Sequence, residues 1–168
     1  MDNTQLIEQV AGWRFSDWFP LTKEAVGVAD HGNAPQSPGV YEIGLGESVP
    51  RLNGSSEIIY IGRGAGQSRN DRGSIAAALH RHIDNGGGPE KWLRYVGRGD
   101  RLQARFAVAR GVAEARFWEL LRLRWFIEQH WEPPAGNMRA EVAAQPMTGP
   151  ELERFIKEWK QKAGRLGP

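Results

Sequence analysis

Cysteine is absent from the 168 residues, which excludes a disulfide framework, thiol chemistry and a cysteine-ligated zinc site. An excess of one charge is also missing. The 22 Lys and Arg residues against 20 Asp and Glu leave a formal +2, so bulk charge alone does not call for a nucleic-acid partner. No apolar run nears the roughly 20 residues of a membrane-spanning helix. Met1-Asp2-Asn3-Thr4 lacks the basic and apolar regions of a secretory signal, and a cytoplasmic location with no membrane partner is expected. No internal repeat or low-complexity tract is present. What is there suffices for one domain with a real core: 40% hydrophobic residues and seven tryptophans, in a length within the usual range of about 100–200 residues.

The informative stretch begins at Gly39. Residues 39–45 and 57–62 are short apolar runs rich in β-branched and aromatic residues, and each reads as a strand. Residues 46–56, with Gly46, Pro50, Asn53 and Gly54, read as the loop between them. Period-two alternation groups Tyr41 with Ile43 and Leu45, and Tyr60 with Ile58. Pairing that points both phenols the same way would set two weak acids on one surface beside a cationic loop. Such a surface suits a phosphodiester.

That loop, residues 63–73, carries Arg63, Arg69 and Arg72 among glycines. It lacks the GK[ST] ending of a nucleotide-binding P-loop. Its arginines suit the backbone phosphates of a polynucleotide, or a solvated charged loop. Ser74 is the expected N-cap of a helix over 75–84 that the glycines from Gly86 end. Ile75, Leu79 and Ile83 form its buried stripe, with Ala78 and His82 alongside. Trp92, Tyr95, Arg94 and Arg98 then interleave aromatic and cationic groups, as a grip on a duplex or as an ordinary hairpin. Residues 102–108 alternate as a third strand, with Arg105 facing away from the apolar side.

Residues 113–130 form an almost uniformly apolar helix that should be buried. Glu119 on it must be paired or hold a cation, and a bridge to Arg116 or Arg122 is the alternative to a metal. Glu114 is a favourable charge on the helix dipole. Residues 131–137 are a proline-rich return. At the chain's ends, residues 4–12 and 22–28 read as short helices around the aromatic residues Trp13 to Phe19. Residues 148–163 form an amphipathic helix with a Thr148/Glu151 capping box. It packs on the core or on a second subunit, so a homodimer is one expected assembly. His31 and His130 are assigned no chemistry.

Gly39-Val40-Tyr41 and Tyr60-Ile61-Gly62, followed by the Arg/His-bearing helix, a third strand, the helix phrase Ala115-Arg116-Phe117-Trp118-Glu119-Leu120-Leu121 and Asn137, resemble the GIY-YIG nuclease superfamily. The resemblance spans about residues 38–137, and the terminal segments and the long insertion after Gly62 resemble its restriction-enzyme branch. It implies an α+β fold: a small three-stranded antiparallel sheet flanked by helices, with residues 1–37 as an N-terminal arm, 38–140 as the nuclease core and 141–168 as a C-terminal helical extension. It further implies metal-dependent hydrolysis of double-stranded DNA. Tyr41 would activate water, His82 take its proton, Arg63 lower the phenol pKa, Tyr60 orient water or phosphate, Glu119 hold Mg²⁺ or Mn²⁺, and Asn137 hold the geometry. Arg69, Arg72, Arg81, Arg94 and Arg98 would contact nucleic acid. The superfamily's helix carries an arginine four residues before the histidine, and here that position is Ala78. Either Arg72 or Arg81 has taken over, or strand cleavage is lost, or the alanine is an inactivating substitution.

Overall fold

In a computed structural model, residues 14–27, 34–64, 73–84 and 102–137 are described. The predicted helices over 4–12 and 148–163, Trp13, the loop arginines Arg69 and Arg72, and Arg94 and Arg98 lie outside them. The described elements run β1 Phe19–Pro20, α1 Lys23–Val26, β2 Gly39–Pro50, β3 Ser55–Gly64, α2 Ile75–Asp84, β4 Gln103–Val108 and α3 Val112–His130.

The chain is mixed α and β around one antiparallel sheet with strand order β1-β4-β2-β3. The expected three strands are therefore four. The addition is the two-residue β1, where Phe19 lies opposite Ala104. Its alternation is too short to be read from sequence.

The expected 46–56 loop is also corrected. Most of it is strand, and only residues 51–54 turn, with the Arg51 amide donating to Gly54 O at 3.0 Å. Gly46 and Gly54 take positive φ, 68° and 72°, which glycine adopts without steric cost. Gly54 closes the turn, and the hairpin shifts register after Ile43 and again between Gly44 and Val49, where Gly46 lies. One consequence is that Tyr60 shares its face with Ile59 and Ile58 lies on the other. The 22–28 helix is a single turn: Thr22 caps it, and Gly27 at φ 83° ends it.

Both faces of the sheet are covered. On one, Val40, Ile58, Ile61 and Ala107 pack against Phe117, Trp118, Leu121 and Trp125 of α3. On the other, Tyr41, Ile43, Ile59 and Ala104 pack against Ile75, Ala76, Ala78 and Leu79 of α2. Arg105 faces away from the side of Leu102, Ala104 and Phe106, as the alternation predicts, but that second face is covered by α3, and Arg105 there bonds to the fully buried Glu42. Ser74 caps α2 as expected, its Oγ accepting from the Ala77 amide at 3.0 Å. Glu114 does more than sit on the α3 dipole: it accepts from the Arg110 amide at 2.6 Å and binds the Arg110 guanidinium. Trp131, at φ 59°, closes α3 in the left-handed conformation. No helix among the described residues is long and apolar enough to cross a membrane.

Candidate active site

Antiparallel pairing sets Tyr41 opposite Gly62 and Ile43 opposite Tyr60, so the two phenols stand diagonally on the α2 face. Their ring centroids are 6.0 Å apart. A Cβ on Gly62 would lie 2.7 Å from the Tyr41 hydroxyl oxygen and 2.6 Å from a Tyr60 ring carbon, closer than real Cβ atoms approach. Only glycine leaves the phenols their place.

The last turn of α2 brings His82 to both rings, with centroids 5.6 Å from Tyr41 and 5.0 Å from Tyr60. Its Nε2 lies 2.7 Å from the Tyr41 hydroxyl oxygen. Burial, with the nearby Arg81 charge second, lowers the His82 pKa from 6.5 to about 4. His82 is therefore neutral near neutrality. Burial raises Tyr41 well above the usual phenol value, assisted by Tyr60 and Glu119 and opposed by Arg81. The phenol keeps its proton and the imidazole is neutral, so a single hydrogen lies in the 2.7 Å contact; His82 Nε2 accepts it in the tautomer that carries the imidazole hydrogen on Nδ1.

Arg63, one residue past Gly62, projects from the α3 face of β3 and pairs with Glu119. The expected bridge from Glu119 to Arg116 or Arg122 is thus not the one formed. Nor does Arg63 lower the Tyr41 pKa, which is raised; the arginine charge that opposes the rise is that of Arg81. Glu119 keeps 13% side-chain exposure. Its charge is felt at Tyr41, so the acid on one face of the edge strand and the phenol on the other share one electrostatic neighbourhood.

Asn137 reaches that edge from the proline-rich return. Its Oδ1 accepts from the Ile61 amide at 2.9 Å, and its Nδ2 donates to Ile61 O at 2.7 Å. One side-chain amide thereby occupies both backbone groups that an edge strand would expose. The Gly136 amide donates to Ile59 O at 2.7 Å. This brace fixes the backbone between Tyr60 and Arg63.

Ala78 is 2% exposed and belongs to the apolar cluster under Tyr41. Arg81, three residues on, is exposed and acts on both Tyr41 and His82. Among the described residues no group of three or more His, Cys, Asp or Glu could hold a metal ion.

Sequence reasoning missed the most deeply buried acid among the described residues. Glu42, 0% exposed, receives Arg105 Nε at 2.7 Å and Nη2 at 2.6 Å, and also Arg122 Nε. Burial pushes its pKa up, but Arg122 and Arg105 together hold it below the ordinary value. The signal was a charged residue within each apolar element: Glu42 in β2, Arg105 in β4 and Arg122 in α3. Comparisons with protein-family models, with curated proteins and with solved structures return no match.

Proposed function

We propose that this chain is a metal-dependent endonuclease of GIY-YIG type that hydrolyses phosphodiester bonds of double-stranded DNA. The observation that carries the reading is the Tyr41–His82 hydrogen bond at 2.7 Å, set beside Tyr60 and within electrostatic reach of the Glu119 carboxylate. A phenol that keeps its proton is a poor base by itself. It can relay: as Tyr41 takes a proton from water, its own moves to His82 Nε2. The substrate's negative charge raises the imidazole pKa toward its ordinary range, which makes His82 a better acceptor once DNA is bound. Tyr60 orients water or phosphate, and Asn137 holds the strand that carries Tyr60 and Arg63.

The donor set fits the implied metal ion. Mg²⁺ is commonly held by one or two carboxylates with waters completing its shell, and Glu119 offers one partly exposed carboxylate. Mn²⁺ takes the same donors. When bound, the ion neutralises charge on the phosphate and the leaving oxygen. Arg63 holds Glu119 in place.

A second reading has one observation in its favour. At position 78, where a phosphate-binding arginine would stand, there is a buried methyl group, and a DNA-binding module without cleavage follows if no other cation replaces it. Incubation of supercoiled plasmid with the protein and Mg²⁺ or Mn²⁺ separates the two. Nicking that disappears in Tyr41→Phe and Glu119→Ala supports the enzyme. Salt-sensitive retention of uncut plasmid supports the module. Ala78→Arg raises cleavage if that position is vacated, whereas loss of cleavage in Arg81→Ala marks Arg81 as the replacement.

A further inference from the structure

On the α3 face, beyond the Glu42 network, lies a cavity of about 290 Å³ between the β2–β3 hairpin, β4 and α3. Arg122 lines it with a side chain only 7% exposed. Only Nε of that guanidinium is hydrogen-bonded, to Glu42. Among the described residues its two terminal amino groups have no hydrogen-bond partner, and neither is sealed from solvent. The guanidinium carbon lies over the Trp125 ring, 4.3 Å from its centroid. Arg105, whose Nε and Nη2 are both committed to Glu42, lines the same space. The hydroxyls of Ser48, Ser55 and Ser56 add further donors.

We propose that this cavity binds a phosphate group, carried either by a small free molecule or by the backbone of a nucleic acid. Two guanidinium donors that open onto the cavity are available to an incoming acceptor, and a guanidinium fork matches two oxygens of one phosphate. Two guanidiniums share the single Glu42 carboxylate beneath the cavity, which leaves positive charge facing it. Glu57 on the wall opposes an anion, so the site favours a singly charged phosphate group over a dianion. The backbone source has a geometric argument of its own. Arg122 follows Glu119 by three residues on α3, so the two side chains are neighbours on its surface.

The test is ¹⁵N NMR of the full chain, following the Arg122 Nε–Hε resonance during titration with inorganic phosphate and, separately, with a short DNA duplex. The expected result is a saturable shift. A unit charge near the cavity changes affinity by about threefold or more, so Glu57→Gln tightens binding and Ser48→Asp weakens it to that degree. Ser48 is exposed and outside the Glu42 network, so the variant leaves the fold intact. A shift with inorganic phosphate identifies a small-molecule site; a shift with duplex alone identifies a backbone contact. Absence of a shift with both, or equal affinity in the wild type and both variants, overturns the proposal. Neither variant touches Tyr41, His82 or Glu119, so either result leaves the nuclease reading to its own test.

Discussion

Acid should weaken this fold through His82, in a pH range where the carboxylates are still ionised. The folded-state pKa of about 4 lies below the ordinary 6.5, so the unfolded chain binds the proton more readily between those values. Stability contributed by keeping His82 neutral is complete above 6.5 and is lost as pH falls toward 4. The full difference is worth about 3 kcal/mol at 1.36 kcal/mol per pH unit. Linkage gives a loss of about 2 kcal/mol between about pH 7 and pH 5. Glu42, whose pKa is lowered, contributes stability above the ordinary carboxylate value and loses it only below, so the two effects separate. Urea denaturation of the wild type and His82→Gln across this range is the assay. The variant loses the Tyr41 bond at every pH but has no titrating imidazole, so its stability should stay nearly flat from 7 to 5. Parallel curves for the two proteins would refute the burial of a neutral His82.

Gly62→Ala drives a methyl group into the Tyr41 hydroxyl and Tyr60 ring; overpacking of this kind costs about 1–3 kcal/mol, and nicking should fall further than thermal stability does. Asn137→Ala leaves the Ile61 amide and carbonyl without partners. A cost of about 1–3 kcal/mol should appear as a lower denaturation midpoint, with faster amide exchange at Ile61. Glu42→Gln leaves Arg105 and Arg122 with no counter-charge, and breaking such a buried cluster costs about 3–5 kcal/mol, measurable by urea denaturation.

The hairpin strands, α2 and α3 were legible because their signals are local. Ser74 and the stripe of Ile75 and Leu79 define α2 within one residue of its observed ends. The long apolar run defines α3 in the same way. A shared face for Tyr41 and Tyr60 followed from alternation once the tyrosine triplets were read as paired strands; His82 beside them was expected from the resemblance alone. What escaped was set by partners distant in sequence. Strand β1 exists because β4 offers an edge. Glu119 found Arg63, 56 residues away, rather than a neighbour on its own helix. Alternation along β4 put Arg105 on the right face but could not show that this face is buried, because a sheet covered on both faces has no period of two between inside and outside. The phenol pKa was misjudged for a related reason: burial outweighs the arginine charge near it.

The central claim is that Tyr41, His82 and Glu119 act as one hydrolytic unit on a phosphodiester. Metal-dependent plasmid nicking by Tyr41→Phe, Glu119→Ala and the double variant measures this directly. Residues that act as a unit are strongly non-additive, so each single variant should abolish most nicking and the double variant should be scarcely worse. Nicking that survives Tyr41→Phe, or losses that simply multiply, would contradict the account.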